Sequence, residues 1–315
     1  MTTISASLVK ELRDKTGAGM MDCKNALTES NGDIEAAVDL LRKKGLSKAA
    51  KKSGRIAADG LIGIIAKGKD GAVVEVNSET DFVARNDQFQ GLVRDITGLA
   101  PAAKGDLAKL LAATYPGTMN TVETHVKEMV ATIGENMSVR RTAALSVKSG
   151  VVADYMHSKA ADGLGKIGVL VALESTGDAA KVQEFGRKVA MHIAASPATL
   201  VVNEGDLPKD AIDRERAIYV EQAKAEPRNA GKSDEILAKA SEGRLRKEFF
   251  GSAVLMAQVF VIDGKATVAE AVKAAEKTVG APIKITKFVR YALGEGIDKK
   301  EEDFAAEVAK AVKGG

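Results

Sequence analysis

The chain has 315 residues, enough for more than one hydrophobic core, and at 45% hydrophobic and 28% charged it has the composition of a soluble globular protein. A net charge of +3 is too small to make nucleic acid the main partner, and with no Trp, four Tyr and eight Phe there is little to stack bases on. The single cysteine, Cys23, excludes an internal disulfide framework and fits a reducing compartment. No apolar run approaches membrane-spanning length, and the start at Met1 lacks a basic n-region followed by an apolar one, so the expected location is cytoplasmic.

The first fifty residues read as a module of their own. A short helix over residues 5–16 is ended by Gly17, and a second over 20–30 is closed by Asn31 and Gly32. Asp33 caps a third, with Ile34, Ala37, Val38 and Leu41 on one stripe and Gly45 as its stop. Three tight helices with a Gly17–Met20 turn look like a ubiquitin-associated-type bundle, too small to be an enzyme and suited to docking. The basic stretch 48–55 then reads as a solvated linker.

Beyond it, residues 61–65 and 72–76 form a strand pair. A helix follows from Asp87, with Phe89, Leu92, Val93 and Ile96 on its apolar stripe. Later, residues 151–156 and 167–173 form a second pair, followed by a helix over 182–193, and Phe89 and Val93 superpose on Phe185 and Val189. This predicts a duplicated α+β core. At the first strand-to-helix junction Thr80 or Asp81 caps a helix with Phe82 in its first turn. Phe82 is then either an ordinary core residue or a wedge aimed at a partner. The second junction, at residues 175–179, has no phenylalanine, so the scaffold closes without one; the two readings stay open.

Residues 209–226 and 233–249 are charged, helix-favouring segments with a thin apolar seam, as expected of a two-helix hairpin projecting from the body. Strands are expected at 254–262 and 284–291 with a helix over 268–278 between them, then a last helix over 301–313 carrying Phe304, Val308 and Val312 on one face. The fold class is thus α+β, divided as residues 1–50, a docking bundle; 51–150, a first core copy with the wedge; 151–292, a second copy with a hairpin inserted at about 208–250; and 293–315, a helical tail.

Fragments of enzyme motifs fail on context. Gly163, Gly165 and Gly168 spell a dinucleotide fingerprint but precede a strand, so no helix N-terminus receives a pyrophosphate. Residues 230–233 resemble the end of a phosphate-binding loop, but Glu226 stands where its first glycine belongs. His125, His157 and His192 lie far apart, and His192 reads as a packed or hydrogen-bonded surface group. Cys23 reads as a small buried hydrophobe. No catalytic constellation is expected, and no cofactor, metal or directly bound nucleotide.

Residues 11–24, 31–33 and 80–86 resemble bacterial elongation factor Ts, as do 133–137, 191–196, 294–297 and 303–306, in the family's order from end to end. The chain is longer than the more familiar members around residues 100–115 and 263–281. The resemblance implies guanine-nucleotide exchange on elongation factor Tu, without enzymatic chemistry, membrane or nucleic acid. It implies that Thr80, Asp81, Phe82 and Val83 dislocate the partner's magnesium. Met20, Lys24, Arg85, Asn86, Ile133, Gly134, His192 and Phe304 are its further partner-binding candidates. A homodimer, or a complex of two copies with two partners, is left open by the hairpin. A ubiquitin-binding adaptor would explain the bundle but not the duplicated core; an RNA-binding protein would explain the linker but not the sparse aromatics.

Overall fold

The computed structural model describes residues 4–298 and has a mixed α+β architecture built around antiparallel strands. Three helices open the chain: α1 (Ala6–Thr16), α2 (Met20–Glu29) and α3 (Ile34–Lys52). Ser5 and Asp33 cap α1 and α3 with side-chain acceptors, and Gly17 closes α1 in the left-handed conformation. Val9, Leu12, Cys23, Ala26, Leu27 and Ala37 form the small core between them.

The expected stop at Gly45 does not occur. α3 continues to Lys52, and most of the expected linker is its last turns. The reason is a contact distant in sequence. Gly45 is buried, and a Cβ there would sit 3.0 Å from that of Ala131, on α7 (Val122–Ile133). A helix-interior glycine costs about 1 kcal/mol of propensity, here offset by close packing of α3 on α7. Ala49 is buried in the neighbouring core, so the bundle and the body share a helix.

The body is a duplicated unit, and the repeat is longer than the sequence reading found. The first copy contains β1 (Asp59–Lys67), β2 (Asp70–Ser78), the single turn α4 (Asp81–Ala84), α5 (Asp87–Ala103), the short α6 (Leu107–Ala112), α7 and β3 (Met137–Ser146). The second contains β4 (Gly150–Ala161), β5 (Leu164–Glu174), α8 (Ala179–Ala195), and later α12 (Val268–Val279) and β6 (Lys284–Ala292). In each copy two strands and a helix are followed by a twelve-residue helix with a threonine N-cap and a left-handed glycine C-cap, then a third strand. β2 is central to β1 and β3; β5 is central to β4 and β6. A short pairing of Ile62 and Gly63 with Gly165 and Leu164 joins them into one six-stranded sheet.

Strand alternation sorts the core into layers. Leu61, Ala72, Val74 and Val76 face α5 and α7 with Phe89, Val93 and Ile96, while Val151, Ala153, Val169 and Val171 face α8 and α12 with Phe185 and Val189. The intervening residues Ile62, Ile64, Val73, Val152, Leu170 and Ala172 pack against one another, sheet on sheet. Gly71 and Gly168 permit this approach: a Cβ on either would overlap side chains of the facing strands. Gly163 turns the chain between β4 and β5, so the apparent dinucleotide fingerprint runs into a strand.

Between α8 and α12 lies the hairpin, α9 (Lys209–Ala225) and α10 (Asp234–Arg244), the latter running on as a π-helical segment over Leu245–Phe250. Ala223, Leu237 and Ser241 form its buried seam, with Arg216 paired to Glu242 and Arg244 stacked on Tyr219. The strand expected over 254–262 is absent. After the single turn α11 (Gly251–Ala253), residues Leu255–Ala257 form a 3-10 turn, and only isolated bridges, Val201 with Val254 and Val259 with Thr267, are present. A run of aliphatic residues read as a strand because periodicity does not show whether a partner strand exists. The expected final helix, with Phe304, lies outside the described residues.

Candidate partner-docking site

The junction between β2 and α5 is built to display one ring. Asn86 caps α5 by accepting from the N–H groups of Gln88 at 2.8 Å and Phe89 at 3.3 Å. Val83 and Ala84 are buried beside Phe89 in the first-copy core. Successive helical residues point about 100° apart, so with Val83 turned inward Phe82 is carried outward, where it is 76% exposed. The core reading of Phe82 is therefore excluded. Val83 anchors the turn from beneath. Asp81 and Arg85 form an exposed ion pair at 2.8 Å across the turn.

Thr80 precedes α4, but its side chain does not cap it. Its backbone N–H and its hydroxyl both donate to the Glu135 carboxylate, at 3.0 and 2.7 Å. Next to Glu135, the backbone N–H of Asn136 donates to Glu79, and the Asn136 amide donates to the Arg55 carbonyl at 2.7 Å. The Lys52 ammonium donates to the Gly134 carbonyl, and Arg55 lies 3.6 Å from Glu79. The segment containing Ile133 and Gly134 thus joins the end of α3 to the turn carrying Phe82. Glu135 was not among the residues singled out from sequence. It lies 55 positions from Thr80, and its only local signal is a carboxylate just after the helix-ending Gly134.

The other candidates lie on separate elements. Met20 and Lys24 are exposed on α2, with Met21 beside them. His192 is not a surface group: it is buried on α8, with Nε2 2.6 Å from the Gln258 carboxamide oxygen. Its Nδ1 accepts from the backbone N–H of Val261 at 3.2 Å, so the proton resides on Nε2 and donates to Gln258. Burial pushes its pKa down against the opposing effect of the Gln258 hydrogen bond, favouring this neutral form. What His192 holds is itself exposed: Val259, Val261 and Ile262 show apolar side chains on the segment that the sequence reading takes for a strand, and Leu200 is exposed elsewhere in the second copy. Among the described residues no group of three or more His, Cys, Asp or Glu is placed to hold a metal ion, and no helix is long and apolar enough to cross a membrane.

An aromatic on a braced turn, thioethers on a small bundle and aliphatic side chains in the second core copy are thus all exposed. A family model described as elongation factor TS matches residues 79–295. Curated relatives named elongation factor Ts match end to end. The one from Parvibaculum lavamentivorans is 57% identical, covering 100% of both chains. That from Rhizobium etli is 56% identical over the same shares, and that from Rhodospirillum rubrum 57% identical over 99% of this chain and 100% of its own. The chain belongs to the elongation factor Ts family, whose members are translation elongation factors of protein biosynthesis and not catalytic enzymes.

Proposed function

We propose that this protein is a cytoplasmic guanine-nucleotide exchange factor that binds elongation factor Tu carrying GDP, disturbs its magnesium and phosphate site, and promotes GDP release. The observation that carries the reading is the exposed Phe82 on a turn fixed by buried Val83 beneath and by Glu135 at its entrance. An exchange factor needs no reaction of its own; it must bind the empty partner more tightly than the nucleotide-bound one. Nucleotide affinity in such a partner rests on a cradle of backbone N–H groups and a magnesium ion. A ring held rigidly and inserted beside that site opposes both. Burying one aromatic side chain contributes roughly 1.5–3 kcal/mol, so Phe82 accounts for about tenfold to a hundredfold in dissociation.

The remaining elements hold the wedge in place. The ubiquitin-associated-like bundle of residues 1–50 docks through Met20 and Lys24. The first copy, 51–150, presents Asp81, Phe82, Arg85 and Asn86, with Thr80, Val83, Ile133 and Gly134 as their base. The second copy, 151–292, meets another partner domain through the loop that His192 supports, and the tail, 293–315, adds contacts at Phe304. The protein itself requires no cofactor, nucleotide, nucleic acid or membrane. Linkage supplies the test: if the factor weakens GDP binding by some ratio, GDP weakens factor binding by the same ratio. Excess GDP added to the purified complex with elongation factor Tu releases this chain in gel filtration. A complex indifferent to GDP makes it a passive partner.

A further inference from the structure

Gln258 follows the 3-10 turn that ends the helical hairpin, and its side chain is buried in the second core copy. A buried carboxamide has an oxygen that accepts and a nitrogen that donates twice, and each needs a partner. The nitrogen has two. It donates to the backbone carbonyl of Ser252, on α11 where the hairpin returns to the body, and to the Thr199 hydroxyl at 2.9 Å. Thr199, also buried, passes its own proton to the carbonyl of Ser196, just past the end of α8, at 2.8 Å. Its oxygen lies 3.1 Å from the carboxamide oxygen as well, and that oxygen faces His192 Nε2 at 2.6 Å.

These contacts can run in one direction only. A carbonyl cannot donate, so the Ser252 carbonyl requires the nitrogen of Gln258 on its side. The carboxamide oxygen is thereby turned to His192, which must meet it with Nε2–H, and a neutral imidazole protonated there has a bare Nδ1. The bare nitrogen accepts the backbone N–H of Val261 at 3.2 Å. Reversing the amide or the imidazole would set two acceptors, or two donors, against each other in a buried place. Past Gln258 the chain closes on itself: the Phe260 N–H donates to the Ala266 carbonyl at 2.8 Å, and the Val268 N–H to the Gln258 carbonyl at 2.9 Å. Phe260 is buried beneath, its ring 5.7 Å from that of His192. The bond from Val261 ties the tip of this loop to α8, with Val259, Val261 and Ile262 exposed around it.

We propose that Gln258 is a positioning residue: seated on the Ser252 carbonyl, it fixes the tautomer of His192 and so holds the loop over residues 259–262 in its partner-binding form. Thr199 steadies the carboxamide from the other side. Neither touches the partner; both act through His192 and the backbone of Val261. Buried polar chains of this kind are strong while every member is satisfied, and removing one member costs more than its own bond. The proposal rests on the reading that this loop contacts elongation factor Tu.

The test uses the full chain. Nitrogen chemical shifts of the histidine rings report which nitrogen carries the proton, and amide hydrogen exchange reports the hold on Val261. In the parent, His192 should show a protonated Nε2 and a bare Nδ1. Gln258→Met keeps the volume and removes both polar atoms, so it should mix the two tautomers while leaving exchange in α5 unchanged. It should also speed exchange at Val261 about tenfold and weaken binding to elongation factor Tu, measured by calorimetry, about tenfold, the equivalent of one buried hydrogen bond. Should that variant fold poorly, Thr199→Val gives the same pattern in milder form, and Thr199→Ser restores the parent values. A His192 that keeps Nε2–H in Gln258→Met, with exchange at Val261 unchanged, overturns the proposal. Unchanged affinity despite mixed tautomers and faster exchange overturns it too when Val261→Ala, measured alongside, does weaken binding. Unchanged affinity in Val261→Ala as well would instead refute the loop contact on which the proposal rests.

Discussion

Glu135 accepts two hydrogen bonds from Thr80, one from its backbone N–H and one from its hydroxyl, across 55 positions of sequence. This fixes the entrance to the turn that carries Phe82, while Val83 fixes the turn from below. The exposed ring therefore approaches a partner in one orientation, without first losing the freedom of a mobile loop.

Glu135→Ala should leave the fold intact and slow GDP release. Hydrogen bonds to charged groups contribute about 1.5–3 kcal/mol when well placed, and this pair is part-exposed, so a loss of about tenfold at subsaturating factor is expected. The effect should appear mainly as weaker binding, since Phe82 remains available once docked. Stopped-flow titration against factor concentration separates the two; unaltered half-saturation and maximal rate would show that the brace is idle.

Gly45 offers a test of the helix shared by bundle and body. Replacing a helix-interior glycine by a better helix former gains about 1 kcal/mol of propensity, whereas overpacking a tight contact costs about 1–3 kcal/mol. With Ala131 at the position a Cβ would press on, the second effect wins for a large residue. Gly45→Leu should lower the urea midpoint, and a raised midpoint would mean that α3 does not pack on α7 in solution. For the same reason deletion of residues 1–50, which removes buried Ala49, should destabilise the body as well as remove the bundle.

Acid should weaken the second copy through His192. Its pKa in the fold is lowered, chiefly by burial, and that of His125 is lowered likewise, with Glu128 and Asp95 opposing. In the unfolded chain a histidine titrates near about 6.5. Below that value the unfolded chain takes up protons that the fold resists, so this stability is full above the unfolded pKa and is lost as pH falls toward the folded one. Asp154, whose pKa burial raises, acts in the opposite sense. Comparison with a His192→Gln variant isolates the histidine: the drop in urea midpoint between about pH 7.5 and about pH 5.5 should be smaller in the variant. An equal drop would remove His192 from the pH response.

The elements that declared themselves in sequence are those whose signal is local. The stripes of α5 and α8, with Phe89 and Phe185 matched, gave the duplication, and Asp33 and Gly17 marked helix ends through their own caps. What was missed depends on distant partners. Gly45 looks like a stop until Ala131 fills its place, and residues 254–262 look like a strand until no neighbour pairs with them. β3 escaped notice because Arg140 and Arg141, serving Glu75, break its apolar alternation. At the candidate site Phe82 is visible but ambiguous, because inward and outward rings have the same spacing; Glu135 lies within the stretch 133–137 but its bond to Thr80 is not local, and the loop beside His192 reads as a strand.

Release of fluorescent GDP from elongation factor Tu, followed by stopped flow at saturating concentrations of this chain and of Phe82→Ala, tests the central claim most directly. An exposed ring contributes nothing to the core, so the variant should fold and melt as the parent does. Its maximal release rate should fall by about tenfold to a hundredfold, the equivalent of one buried aromatic side chain. An unchanged maximal rate would contradict the account: Phe82 would be an incidental surface residue, and the braced turn would have no part in exchange.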